Sequence, residues 1–409
     1  MKILYLVHQF YPMFYTGTEK FVLNMATNMQ TSGHQVKVIT YSLEDIGSFD
    51  RNLDDILLKE YTIKGVPVIA VRHKKYPNEL HSLLKDEGLF NAAKCLLEKE
   101  KPDIIHVGHP MRITEFINAA ISLKIPYLIT LTDYHFICPK TIMLKNDGNL
   151  CSGSENGEYC INSCGYSEQF VKRRQEVGME ILKNSKKVFS PSKFLAQMFN
   201  EEISELKVEV INHGISDKNI LKNRKTYKRN DKLTFCFAGT FASYKGLHVL
   251  IDAFNRIRTP RVRLKVYGSG IDKKYANTIK QISKEDHRIN FCGVFSEREL
   301  GKVFSQVDVV VVPSLWYENY PLVLHEALTS NVPVIATDCG GMSEKIKNGV
   351  NGFTFRKGDV VHLKTVLEKV INNPLILNSI KNNMTKQIIP TIEQEAVSYE
   401  RQYQKIIQE

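Results

Sequence analysis

Two runs of the same alternation, short unbroken aliphatic stretches followed by amphipathic segments, constrain this chain more than any other feature. A strand that is apolar throughout is covered on both faces, as in parallel sheets sandwiched between helices. In the first half such runs fall at 2–7, 35–40, 66–71, 104–107, 127–131, 187–190 and 208–211. In the second half they fall at 233–237, 263–267, 289–291, 307–312, 332–336 and 352–355. Helical spacing follows the first run over 18–32, with Phe21, Val22, Met25, Ala26 and Met29 on one face and Gly33 as the stop. Further helices are predicted over 247–258, 272–285, 297–306, 322–330 and 342–348.

Between the halves, 222–232 is polar and basic and reads as a linker or domain edge. With 409 residues the chain exceeds a single core. The expectation is an α/β protein of two Rossmann-like, doubly wound parallel-sheet domains facing across a cleft. The N-terminal domain is placed at 1–215 and the C-terminal domain at 216–388. A closing helix at 389–409 is expected to dock through Ala396, Tyr399, Tyr403, Ile406 and Ile407. An irregular insertion at 136–167 breaks the pattern.

A net charge of +11 admits three partner classes: nucleic acid, an anionic membrane surface, or phosphorylated small molecules. No apolar run reaches the roughly 18 residues of a membrane span, and the opening 1–8 is too brief for a secretory signal. A cytoplasmic protein is expected, with peripheral contact at the inner membrane face left open through Lys172-Arg173-Arg174 or 222–232. Nucleic-acid binding finds no recognisable module. A nicotinamide oxidoreductase is disfavoured because Gly268-Ser269-Gly270 lacks a third glycine and no Gly-x-Gly-x-x-Gly opens the first βα turn.

The chemistry concentrates after the strand at 307–312, in Pro313-Ser314-Leu315-Trp316-Tyr317-Glu318-Asn319-Tyr320-Pro321-Leu322-Val323-Leu324-His325-Glu326-Ala327. Pro321 suits a helix start, leaving the N–H groups of Leu322 and Val323 at the positive helix end, where a phosphate is favoured. Glu318 and Glu326, up to about 12 Å apart along a helix, suit two ends of an extended ligand, since carboxylates accept paired hydrogen bonds from vicinal hydroxyls. Gly340-Gly341 after the next strand, and Lys245 at the end of the loop 239–246, add phosphate-friendly chemistry.

Glu318-x7-Glu326, the Lys245 loop and Gly340-Gly341-x-x-Glu344 together resemble the retaining family 4 glycosyltransferases of the GT-B fold. Tyr11-Pro12 with Gly17-x-Glu19, Gly33-His34-Gln35-Val36, Asn212-His213-Gly214-Ile215, Gly268-Ser269-Gly270 and Phe291-Cys292-Gly293 extend the similarity over nearly the whole chain. The resemblance implies that Glu326 holds a donor ribose, Glu318 the transferred sugar, and Lys245 the departing diphosphate. Gly17 would bring N–H groups to the same phosphates, and Thr240, Gly268, Asn319, Tyr320, Leu322, Val323, Gly340 and Gly341 would complete the donor side. Thr16, His109, Asp133 and His135 fall to the acceptor or sugar side.

The sequence departs from the family pattern at Thr16, Thr240, Thr132 and Pro321. The implied activity is retaining transfer from a UDP- or GDP-linked sugar to a glycan or lipid-linked acceptor in cell-surface polysaccharide or glycoconjugate synthesis, with no cofactor in catalysis. A nucleotide-sugar epimerase or hydrolase of the same fold is the rival, and Asp133 is the one N-domain candidate for a nucleophile.

Of eight cysteines, Cys138, Cys151, Cys160 and Cys164 cluster in the insertion, and some family members carry a similar set. Four clustered thiols in a cytosolic chain favour a structural zinc or iron–sulfur centre over disulfides, with reduced thiols as the alternative. Cys95, Cys236, Cys292 and Cys339 are expected as small core residues.

Overall fold

The computed structural model describes residues 1–76, 85–218, 220–270, 272–386 and 388–409. They form two compact units: Met1–His213 with Ile392–Glu409, and Gly214–Thr391.

Unit 1 is built on a sheet with the strand order β3-β4-β5-β2-β1-β6-β7-β8-β9. The strands are β1 (Lys2–Val7), β2 (Gln35–Tyr41), β3 (Arg51–Leu53), β4 (Ile56–Ile63), β5 (Val66–His73), β6 (Ile104–Val107), β7 (Tyr127–Thr130), β8 (Lys187–Ser190) and β9 (Val208–Val210). Pairing is parallel from β5 to β9, in register Ile3↔Val36 and Ile3↔Ile104 across β1. β3 and β4 extend the edge antiparallel. Its helices are α1 (Gly17–Thr31), α2 (Glu87–Glu100), α3 (Thr114–Ser122), α4 (Glu158–Asn162), α5 (Glu168–Asn184) and α6 (Lys193–Glu202).

Unit 2 carries an all-parallel sheet in the order β12-β11-β10-β13-β14-β15. The strands are β10 (Leu233–Ala238), β11 (Val262–Tyr267), β12 (Ile289–Gly293), β13 (Val309–Val312), β14 (Val334–Thr337) and β15 (Phe353–Phe355). Around it run α7 (Leu247–Asn255), α8 (Lys273–Ser283), α9 (Leu300–Ser305), α10 (Leu322–Thr329), α11 (Gly340–Lys345), α12 (Val360–Asn372) and α13 (Ile376–Met384). Valine fills all four places of β13 and every one is buried, as a central parallel strand requires. The chain is thus α/β, with a Rossmann-like parallel sheet in each of two domains.

The last helix, α14 (Ile392–Gln408), belongs to unit 1, where Ala396, Tyr399, Tyr403 and Ile406 enter the core shared by β1 and α1. Polar bonds fix its register. His106 on β6 uses both ring nitrogens, Nδ1 with Tyr403 Oη at 2.6 Å and Nε2 with Thr130 Oγ1 at 2.7 Å. Thr130 Oγ1 also meets Tyr399 Oη at 2.9 Å, and Tyr403 Oη meets Tyr5 Oη at 3.1 Å. His213 Nδ1 lies 2.7 Å from Glu395 Oε1.

Three expectations are corrected. The basic stretch 222–232 is packed into unit 2: Asn223 and Tyr227 are buried, and Lys225 reaches Asp308 at 2.7 Å. Lys381 donates to the Lys225 carbonyl and to Asn223 Oδ1, pinning the stretch to α13. Polar side chains enter an interior once each has a partner. Arg174 is buried and donates to the carbonyls of His135 and Cys138, which removes it from any lipid-facing surface. Cys95 and Cys292 are exposed, whereas Cys236 and Cys339 are buried as expected.

Candidate active site

In unit 2 the adjacent strands β10, β13 and β14 end at one edge of the sheet, so their following loops meet. The β10 loop closes in a one-turn 3-10 helix, Ser243–Lys245, and Gly246 at φ +70° turns the chain into α7. A Cβ on Gly246 would lie 1.9 Å from the Pro313 carbonyl oxygen, so glycine is required for this loop to reach the β13 loop. The Leu315 N–H donates to the Tyr244 carbonyl at 2.7 Å across the same contact.

The join brings Lys245 to Glu318. Lys245 Nζ donates to Glu318 Oε1 at 2.7 Å, and Ser314 Oγ donates to the same oxygen at 2.7 Å. The Glu318 side chain is 7 % exposed and that of Lys245 26 %, so the ammonium keeps solvent access while its partner does not. Nζ also stands 5.1 Å from the Trp316 ring centre, within cation–π range.

The glycine pair supports the Glu318 backbone. Gly341 N–H donates to the Glu318 carbonyl at 2.7 Å, and a Cβ on Gly341 would come within 2.1 Å of the Asn319 carbonyl oxygen. Sequence reasoning assigned this pair to phosphate approach, but in the structure its tight neighbour is the chain's own backbone. Cys339 lies beside it, its thiol pushed up to about 12 by burial and then by the Glu318 charge, so it is no nucleophile at neutral pH.

Pro321 occupies the N-cap of α10, one place earlier than a first-turn proline. Leu322, Val323 and Glu326 share the half-exposed face of that helix, whereas Asn319 and Tyr320 are buried. The Tyr320 ring stacks on His325 with centres 3.5 Å apart. At the same end of the sheet, Thr240 is exposed and Gly268 follows β11.

In unit 1 a second polar group gathers where β1, β6 and β7 end. His109 Nδ1 accepts from the Met111 N–H, so its Nε2 carries the proton and donates to Asp133 Oδ2 at 2.9 Å. Asp133 Oδ1 takes the His135 N–H at 2.7 Å, so both carboxylate oxygens are engaged. The His8 ring lies 4.0 Å from His109, and His135 4.9 Å from His109. Burial, then His109 and Arg112, hold His8 well below the usual imidazole range; burial, then Arg174, do the same for His135. Both are neutral at pH 7, and the Nδ1 of each is buried with no hydrogen-bond partner among the described residues.

Thr16 caps α1, its N–H and hydroxyl both donating to Glu19 Oε2 at 2.7 and 2.6 Å. Glu19 is fully buried and lies 3.8 Å from His8, which links the Thr16–Gly17 turn to the histidine group. Cys138, Cys151, Cys160 and Cys164 line one small cavity in the insertion. Among the described residues, no three His, Cys, Asp or Glu side chains stand at metal-ligand spacing. No helix among them is long and apolar enough to cross a membrane.

Residues 15–219, half of the chain, match the family described as Glycosyltransferase Family 4, and residues 219–387 match Glycosyl transferases group 1. The chain belongs to glycosyltransferase family 4. An uncharacterized glycosyltransferase of Methanocaldococcus jannaschii is 24 % identical over 402 residues, spanning 95 % of this chain and 93 % of that protein. The lipopolysaccharide 1,2-N-acetylglucosaminetransferase of Salmonella typhimurium is 26 % identical over 199 residues, 42 % of this chain and 50 % of that protein. Among solved structures, Anabaena HepE in complex with UDP and glucose superposes with a TM-score of 0.71 at 16 % identity, covering 99 % of each chain.

The geometry of this glycosyltransferase suits charge stabilisation rather than nucleophilic attack. In unit 2 an accessible ammonium is oriented by a buried carboxylate next to the N-terminus of α10, where positive potential accumulates. In unit 1 neutral imidazoles offer single donors and acceptors.

His8, Glu19, Arg112, Arg174 and Ser314 join these groups, and none was picked out as a site residue from sequence. His8 was within reach of that reading, since it directly follows β1 at the carboxyl end of the sheet. Arg174 was not, because seventeen-residue α5 reads as a charged surface helix.

Proposed function

We propose that this glycosyltransferase binds a nucleoside diphosphate sugar in unit 2 and transfers the sugar, with retention, to a hydroxyl of a glycan or lipid-linked acceptor. The observation that carries this reading is the Lys245–Glu318 pair beside the start of α10. The bond from the anomeric carbon to the diphosphate breaks while a bond to the acceptor oxygen forms on the same face. The acceptor proton passes to the departing phosphate oxygen. Negative charge grows on the diphosphate, and Lys245 with the N–H groups of Leu322 and Val323 stabilises it there.

Glu318 Oε1 is taken by Lys245 and Ser314, so its other oxygen is assigned to a sugar hydroxyl. Glu326 on the half-exposed face of α10 is assigned to the ribose. His8, His109 and His135 are assigned to acceptor or sugar hydroxyls, and Asp133 to holding His109 and His135 in place. A role in cell-surface polysaccharide or glycoconjugate synthesis fits the lipopolysaccharide activity named for the Salmonella relative.

A thermal-shift screen of nucleoside diphosphates, with UDP first and GDP second, tests donor binding. Ligand at 100 times its dissociation constant adds about 2.7 kcal/mol of stability. Absence of a shift with every nucleotide rejects the reading. Retention is read from the anomeric configuration of the product, and an inverted product refutes the same-face route. Donor turned over equally fast without acceptor favours an epimerase or hydrolase instead.

A further inference from the structure

The insertion between β7 and α5 contains little regular structure: the five-residue helix α4 and one isolated bridge, Leu144↔Leu150. Loops this long without their own elements are uncommon in compact domains unless something local fixes them. Among the insertion's buried side chains are Cys138 and Cys160, and all four clustered cysteines border the same cavity.

We propose that this cavity is a four-thiolate site for one thiophilic divalent cation of the zinc class. The cysteines come from separate segments: the turn after β7, the stretch after the Leu144↔Leu150 bridge, α4, and the residues just past α4. Segments with gaps of 12, 8 and 3 residues border one cavity. Cys160 has Cys138, Cys164 and Cys151 as electrostatic neighbours, and Cys151 has Cys138 and Cys164.

The surroundings supply backbone amides and basic side chains. The backbone amides of Met143, Lys140 and Ile142 lie near the Cys138 sulfur, and the Thr141 N–H donates to the Cys138 carbonyl at 3.0 Å. Thr141 at φ 62° and Met143 at φ 49° make the left-handed bends of that turn. Amide donors of this kind orient and stabilise a metal-bound thiolate. Four thiolates around a divalent cation carry a net charge of about −2. Lys140 and Lys145 line the cavity, and the buried Arg174 guanidinium has Cys138 and Cys160 as neighbours.

The thiols do not stand at coordination spacing here, so capture draws the four sulfurs inward. Four S–H protons leave, four S–metal bonds form, and no redox change occurs. The clamp would tie the turn at Cys138 to α4. Through Arg174, which donates to both the Cys138 and His135 carbonyls, it would also steady the end of β7. Only this last consequence rests on the acceptor assignment of His135; cation binding itself stands apart from the donor reading.

The test uses the full chain, purified without chelator. Elemental analysis is expected to give about one zinc per chain, and Cys151→Ser with Cys164→Ser should lower that at least roughly tenfold. A thiol reagent under native conditions should spare the four cysteines until a strong chelator is added. Zinc below about a tenth of an equivalent, with the four thiols reacting freely, overturns the proposal. So does a mass deficit that marks disulfides, or iron with inorganic sulfide in place of zinc. Should the double variant fail to fold, cobalt(II) exchanged into the unaltered chain provides the reading. Absorption bands of a tetrahedral thiolate complex support the site, and octahedral cobalt refutes it. A nucleotide-induced thermal shift that persists alongside absent zinc would sink this site and leave the donor reading intact.

Discussion

Acidification should loosen unit 1 through His106. Burial, then the nearby His213, hold its pKa down to about 3 in the folded chain, against about 6.5 when unfolded. Between those values the unfolded chain binds one more proton, so stability is full above about pH 6.5 and is lost as pH falls toward the folded value. From pH 7.5 to 5.0 the loss is about 2 kcal/mol, and any folded pKa below about 4 gives the same figure.

The structural cause is definite. Neutral His106 serves Tyr403 with one nitrogen and Thr130 with the other, inside a core with no solvent access. A second ring proton would bring a buried charge. The assay is urea unfolding at both pH values, with hydrogen exchange read on β6 and α14. Trp316, the chain's one tryptophan, reports unit 2 separately by fluorescence. His8 and His135 push in the same direction, so His106→Gln isolates the contribution. It should flatten the pH dependence by about 2 kcal/mol while lowering stability at pH 7.5. A variant as acid-sensitive as the parent refutes the reasoning.

Lys245→Ala should reduce turnover by roughly two to three orders of magnitude, comparable to losing one oxyanion donor; a loss under about tenfold in steady-state assays refutes its role. Glu326→Ala should weaken nucleotide binding roughly tenfold or more, the worth of a charged hydrogen bond, with unchanged affinity by calorimetry rejecting the ribose assignment. Gly341→Ala puts a methyl 2.1 Å from the Asn319 carbonyl oxygen. It should cost about 1–3 kcal/mol in urea unfolding followed at Trp316, and a midpoint equal to the parent's would contradict the packing.

Buried parallel strands were the easiest features to foresee. β6, β7, β13 and β14 are buried at every position, and an unbroken apolar run is a direct readout of that environment. β4 escaped because Lys59, Glu60 and Thr62 dilute its apolar content at the half-exposed sheet edge. The segment 222–232 misled for a different reason. Its composition is that of a solvated linker, yet Lys225 is neutralised by Asp308 and Tyr227 is buried, through partners some 80 residues away in sequence.

The candidate site divides in the same way. Lys245, Glu318 and the glycine pair follow strand ends, where motif spacing is informative. That the glycines seat the Glu318–Asn319 backbone, and that Ser314 shares the Glu318 oxygen, depends on loop approach in three dimensions. Sequence spacing carries no record of that approach.

The division of the chain has a consequence for how it is made. Gly214–Thr391 is a guest inserted into a host, and its two ends meet where Ile215 bridges Thr391. The host acquires α14, with Tyr399 and Tyr403, only after the whole guest has emerged from the ribosome. Until then the hydroxyl partners of Tyr5, His106 and Thr130 do not exist in the nascent chain. During synthesis the guest can therefore finish folding before the host, although the host was begun first.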